Sequence, residues 1–128
     1  MAKLTDKVAL ITGASSGIGK GIAEVYAEHG AKLILVDISE EIVNFAEELK
    51  EDGHQVLAEV ADVRSLEDLK SAVNKGIERF ETIHALVANA GVCKLDNFLE
   101  MSDKNRDYHI DINIKGAWNT IKAVLPEM

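Results

Sequence analysis

Apolar residues along this chain fall into two alternating kinds of run. Val8-Ala9-Leu10-Ile11 is continuously apolar, as expected of a strand covered on both faces. From Gly17 to His29 the apolar positions Ile18, Ile22, Val25 and Tyr26 recur at helical spacing, and Gly30 is a natural stop. Lys32 to Val36 (KLILV) predicts a second strand. Ser39 can cap the next helix, with Glu40 and Glu41 near the positive end of its dipole. Ile42, Phe45 and Leu49 form the inner stripe of that helix, and Asp52-Gly53 closes it. Gln55 to Val60 predicts a third strand.

The rhythm continues through the second half. Ser65-Leu66-Glu67-Asp68 resembles a capping box with Asp in the place of Glu or Gln, and opens a helix with the stripe Leu66, Leu69, Val73, Ile77 and Phe80. Ala85-Leu86-Val87-Ala88 predicts a fourth, buried strand. After a looser stretch from Gly91 to about Met101, Ile110, Ile114, Trp118, Ile121 and Leu125 mark one face of a long final helix that ends near Pro126. Strands alternating with helices of this length imply βαβ units, a parallel sheet and right-handed crossovers. The fold class is therefore α/β, doubly wound.

Size and composition narrow the picture. The chain has 128 residues, 47% of them apolar and 28% charged, which is globular rather than disordered composition. A chain of this size buries about two-thirds of its surface, enough for one core, so residues 1–128 are expected to form a single domain. Fourteen basic residues against 22 acidic ones give a net charge of −8, which argues against nucleic acid or an anionic membrane as partner. Much of that excess lies between Glu40 and Asp52, on what reads as a solvated helix face. No apolar run approaches a membrane span, and Met1 to Lys7 lead into a strand pattern rather than a signal. Cys93 is the only cysteine, so no internal disulfide forms, in keeping with a cytoplasmic location; it reads as a small buried hydrophobe. His29, His54, His84 and His109 show no paired ligand spacing and read as surface or helix-end residues rather than metal ligands.

The chemistry concentrates in Thr12-Gly13-Ala14-Ser15-Ser16-Gly17-Ile18-Gly19, between the first strand and the first helix. Gly13 permits a tight turn, Gly17 leaves room for backbone N–H groups to approach a phosphate, and Gly19 allows close helix–strand packing. Unpaired N–H groups at the helix start attract an anion. Ser15 and Ser16 sit in this turn and read as hydrogen-bonding groups for a cofactor or for the turn itself. No G-K-[ST] ending or G-x-S-x-G elbow is present, which sets aside a P-loop and a serine hydrolase.

Asp37 stands at the end of the second strand, 18 residues beyond Gly19, where a carboxylate can accept hydrogen bonds from an adenosine ribose. The same charge repels a 2′-phosphate, and neither Ser16 nor Ile38 supplies a cation to hold one. NAD is therefore favoured over NADP.

The spacing G-x-x-x-G-x-G, taken with further matches, resembles the short-chain dehydrogenase/reductase family from Lys7 to Met128. Thr12 to Gly19, including Ile18, match its T-G-x-x-x-G-I-G. Asp62-Val63 match the pair that binds adenine through the Asp side chain and the Val backbone. Ala88-Asn89-Ala90-Gly91 match its N-N-A-G, with Ala in place of the first Asn. Asn113-Ile114-Lys115-Gly116 match its N-x-x-G, whose Asn holds a water through a backbone distortion in the helix. The Gly91-Val92-Cys93 segment and the stretch from His109 to Met128 are similar to one bacterial subgroup of that family. The resemblance implies a Rossmann fold with sheet order 3-2-1-4, Asp37 and Ile38 at the adenosine site, and hydride transfer between a nicotinamide dinucleotide and a small alcohol or ketone.

Family enzymes also carry a Ser and a Tyr-x-x-x-Lys. Here Tyr26 is followed four residues later by Gly30 and Tyr108 by Ile112, so neither tyrosine fits, and Asn113 is left as a supporting residue. The sequence spans about half of a family chain. It is expected to bind the cofactor without turning over alone, and to expose an apolar fourth-strand edge and a patch near Trp118, favouring a homo-oligomer. The other reading is a catalytically dead dinucleotide-binding or scaffolding module that acts by association.

Overall fold

The computed structural model describes residues 2–128. Strand β1 (Val8–Thr12) leads into helix α1 (Gly17–Glu28), and β2 (Lys32–Asp37) into α2 (Glu41–Glu51). Strand β3 (Val56–Val60) precedes α3 (Leu66–Phe80), and the short β4 (Ala85–Val87) precedes an extended segment. The chain closes with α4 (Asp103–His109), a π-helical stretch (Ile110–Lys115), α5 (Gly116–Val124) and a 3-10 turn (Leu125–Glu127).

All four strands are parallel, in the order β3-β2-β1-β4, with Leu10 level with Ile34 on one side and Leu86 on the other. Two apolar layers cover the sheet. Ala9, Ile11, Leu33 and Leu35 pack under α1 and α2, while Val8, Leu10, Ile34 and Val36 pack under α3 and α5. That is the doubly wound arrangement expected of continuous apolar strands.

Several expectations need correction. In α1 the buried residues are Gly19, Ala23 and Ala27, whereas Ile18 and Val25 are exposed and Ile22 and Tyr26 are only partly covered. Small side chains let this helix approach the sheet closely, so size rather than hydrophobicity selects its inner face. The capping box at α3 forms only half. Ser65 Oγ accepts from the Asp68 N–H at 3.2 Å, but Asp68 Oδ2 accepts from the Asp62 N–H, at 3.3 Å, rather than from Ser65. Strand β4 stops at Val87 and is half-buried, because it forms an edge of the described sheet.

The final helix is not regular. Its π-helical turns change the phase of the pattern, and the buried positions are Ile112, Gly116, Thr120, Ala123 and Val124. Ile114, Trp118, Ile121 and Leu125 share the opposite, outward face, with Trp118 70% exposed. The folded surface is 7684 Å², above the roughly 6,700 Å² typical of a monomer of this mass, and this face is part of the excess. No helix among the described residues is long and apolar enough to cross a membrane.

Candidate functional site

At the carboxyl ends of the strands the chain builds a cleft from four strand ends and one helix. The first wall is the turn after β1. Gly13 takes φ +67° and its N–H donates to the Val36 carbonyl at 2.8 Å, tying the turn to the tip of β2. Gly17 takes φ +57°, and a Cβ placed there would meet nothing within 4 Å, so its front is open. Gly19 is the opposite case: a Cβ there would run into the Gly13 carbonyl and lie 2.5 Å from Asn89 Nδ2. The close approach that needs Gly19 is thus to the turn and to the β4 end, not to a strand face. Ser16 precedes α1 without capping it, which leaves the first N–H groups of that helix available to an anion.

The second wall is Asp37. Its Oδ2 accepts from the Ser15 N–H at 3.1 Å and from the Ser15 hydroxyl at 2.7 Å, and its Oδ1 accepts from the Ser39 N–H at 3.0 Å. Three donors hold the carboxylate at the strand tip, and about one lone-pair site, on Oδ1, remains for a further donor. Ile38 beside it is exposed and apolar.

The third wall follows β3. Asp62 is gripped by Arg64, whose backbone N–H and Nε reach Oδ1 at 2.9 and 3.0 Å and whose Nη2 reaches Oδ2 at 2.7 Å. Hydrogen bonds from the Arg64 side chain, working against partial burial, hold the Asp62 carboxyl below the ordinary aspartate range. Val63 is buried against Gly116, where any Cβ would lie 2.6 Å from a Val63 methyl, and its carbonyl accepts from Asn119 Nδ2 at 3.0 Å.

The floor comes from β4 and the long helix. Buried Thr12 Oγ accepts from the N–H groups of Asn89 and Ala90 at 3.1 and 3.0 Å, and Asn89 Nδ2 lies 3.2 Å from the carbonyls of Thr12 and Gly13. Beyond Gly91, the Asn113 side chain pairs with Val92 as a second backbone strand would: its Oδ1 accepts from the Val92 N–H and its Nδ2 donates to the Val92 carbonyl, both at 2.8 Å. Asn113 lies inside the π-helical stretch, the backbone distortion anticipated there. One turn earlier, His109 Nε2 accepts from the Lys94 N–H at 2.8 Å and pins the extended segment to α4.

The open cleft has a volume of about 590 Å³. Gly13, Ser16, Ile18, Asp37, Ile38, Asp62, Val63, Asn89, Ala90, Gly91 and Asn113 all line it. Ser15 stands behind Asp37, and Gly17 and Gly19 lie at the start of α1 without lining the cavity. Arg64, Val92, Cys93 and Tyr108, which the sequence did not mark as cleft residues, also line it. Cys93 is exposed at the cleft, not buried, because it lies on the extended segment after β4. A signal for Arg64 was present in its adjacency to Asp62-Val63; nothing in the local sequence marks Tyr108. No cluster of His, Cys, Asp or Glu among the described residues could hold a metal ion.

A parallel sheet in this order, with a glycine turn and an acidic strand tip facing one crevice, is a doubly wound Rossmann-type fold. The short chain dehydrogenase family profile matches residues 7–128, and the chain belongs to that family. It is 60% identical over 128 residues to the oxidoreductase UcpA of Salmonella typhimurium, covering 100% of this chain and 49% of that protein. The bacterial subgroup noted from Gly91 to Cys93 and from His109 onward is the UcpA type. The chain spans about half the length of the curated relatives it matches. Among solved structures it resembles carveol dehydrogenase from Mycobacterium avium in complex with NAD, with TM-score 0.92 and 33% identity over 99% of this chain and 51% of that one. A short chain dehydrogenase/reductase from Burkholderia phymatum in complex with NAD superimposes with TM-score 0.94 at 30% identity, over 100% of this chain and 46% of that one.

Proposed function

We propose that residues 1–128 form one dinucleotide-binding domain, the cofactor half of a cytoplasmic NAD-dependent oxidoreductase acting on a small alcohol or ketone. The observation that carries this reading is the placement of the Asp37 carboxylate beside the open glycine turn, both on one cleft. The residues fit the group: N–H donors at the start of α1 for the diphosphate, Asp37 for a ribose diol, and the Asp62-Val63 end for adenine. Asp37 would repel a 2′-phosphate, so NAD is preferred to NADP. The NAD-bound structures of related enzymes support a nicotinamide dinucleotide in general.

When bound, the dinucleotide supplies a hydride acceptor or donor. This chain's residues orient it and shape the space beside it. Asn113 fixes the Val92 backbone at the floor, and by resemblance to the family the distorted helix around it would hold a water. Neither Tyr26 nor Tyr108 begins a Tyr-x-x-x-Lys, so the reading assigns residues 1–128 no group that moves a proton to or from a carbonyl. Calorimetry of the purified chain tests the binding, with NAD expected to bind more tightly than NADP. Incubation with NAD and a panel of secondary alcohols should yield no reduced cofactor; turnover would show that a proton-transfer group had been missed.

A second reading, a binding module that acts by association, is favoured by the outward stripe of Ile114, Trp118, Ile121 and Leu125. On either reading the chain should self-associate, which sedimentation over a concentration series measures.

A further inference from the structure

We infer that Arg64 is a positioning residue for the purine end of the cleft, clamping the Asp62 carboxylate so that one acceptor site stays free for the exocyclic amino group of adenine. This rests on the dinucleotide reading above and deepens it. A carboxylate offers about four lone-pair sites. Arg64 brings three N–H donors to this one: its backbone N–H to Oδ1 at 2.9 Å, its Nη2 to Oδ2 at 2.7 Å, and its Nε between the two oxygens at 3.0 and 3.1 Å. No other donor among the described residues reaches the group. About one site is left over, and the Asp62 side chain is 26% exposed, at the lining of the cleft.

The clamp is itself held in place. The Asp62 N–H donates to Asp68 Oδ2 and the Asp62 carbonyl accepts from the Ser65 N–H at 2.8 Å, which closes the turn around Arg64. On its far side the guanidinium carbon lies 5.9 Å from the centre of the Tyr108 ring, within cation–π range, and the field of Asp111 reinforces its charge. A fork fixed at both ends can hold a carboxylate in one orientation, which a single ammonium cannot do. A carboxylate so held accepts from an amino group and repels a carbonyl at the same position of the base. The cleft should therefore distinguish adenine from hypoxanthine, and Arg64 should be the reason.

Calorimetric titration with NAD and with nicotinamide hypoxanthine dinucleotide, for the unsubstituted chain, Arg64→Ala and Arg64→Lys, reads this directly. The unsubstituted chain is expected to prefer NAD by about tenfold, the worth of one hydrogen bond to a charged group. Arg64→Ala should bring the two dinucleotides to within about twofold, chiefly by weakening NAD, and Arg64→Lys should stay close to Arg64→Ala. Tighter NAD binding by Arg64→Ala, an unchanged preference, an equal loss of both ligands, or full rescue by Arg64→Lys would each overturn the assignment. An unsubstituted chain that binds both dinucleotides equally overturns this inference alone. One that binds neither overturns the dinucleotide reading as well.

Discussion

The hydroxyl and the backbone N–H of Ser15 both donate to the same oxygen of Asp37, at 2.7 and 3.1 Å, across 22 residues of chain. The glycine turn and the tip of β2 are thus one unit: the group proposed to bind a ribose is oriented by the loop proposed to bind the diphosphate. Asp37→Ala should weaken NAD by about tenfold, since it removes a charged acceptor for a ribose hydroxyl, and should narrow the preference over NADP. Ser15→Ala, which leaves the carboxylate but frees it to rotate, should weaken NAD less and keep the preference. Unchanged NAD affinity in Asp37→Ala by calorimetry would show that the ribose contact had been misassigned.

Gly17 and Gly19 lie two residues apart and should fail in different ways. Gly17 has open space in front and φ +57°, so Gly17→Val adds about 1–2 kcal/mol of left-handed strain and puts a side chain into the phosphate approach. Cofactor binding should vanish while the chain still folds. At Gly19 an added methyl meets the Gly13 backbone and Asn89, so Gly19→Ala should cost about 1–3 kcal/mol of overpacking and lower the urea midpoint. Paired binding and denaturation curves would separate the two; a Gly17→Val chain that still binds NAD as well as Gly19→Ala does would refute the distinction.

The residues legible in the sequence were those whose chemical type and strand-end position coincide. Gly13, Asp37, Asp62 and Asn89 each follow an apolar run, and a parallel sheet gathers such ends at one edge. The buried face of α1 was not legible, because Ala23 and Ala27 were chosen for size while the larger Ile18 and Val25 were left in water. The shared face of Ile114, Trp118 and Ile121 and its exposure were legible, but the small residues Gly116, Thr120 and Ala123 that the last helix buries were not, because size rather than hydrophobicity selects them. Arg64 could be read as a cation beside Asp62 but not as the partner of Tyr108, since that depends on how α4 returns over the β3 end.

Acid titration should report the Asp62–Arg64 clamp. The folded Asp62 carboxyl lies below its ordinary value of 3.8, chiefly through the Arg64 side chain. A depressed carboxyl contributes stability that is fully present above the unfolded value and is lost as pH falls through the folded one. Carboxyl-carbon NMR should therefore place the Asp62 midpoint below 3.8, and Arg64→Ala should return it toward that value. The stability difference between the two proteins should shrink as pH falls through this range. A midpoint that ignores the substitution would mean that the ion pair does not persist in solution.

Thr12 gives the sharpest test of how the site is held together. It is 1% exposed, and its hydroxyl oxygen accepts from the N–H groups of Asn89 at 3.1 Å and Ala90 at 3.0 Å. The Asn89 N–H has a second acceptor in the Val87 carbonyl at 3.0 Å, so only the Ala90 N–H would be stranded by Thr12→Val. Valine fills the same volume, so packing is preserved and the cost is that of one unsatisfied donor, about 1–3 kcal/mol. Thr12→Ser keeps the oxygen and should lose much less. Because Asn89 and Ala90 line the cleft beside Gly13, Thr12→Val should also weaken NAD, whereas Thr12→Ser should not. Urea denaturation with parallel calorimetry checks both halves. If valine and serine behaved alike, the link from β1 to the end of β4 would be a matter of packing, and the hydroxyl would have no part in it.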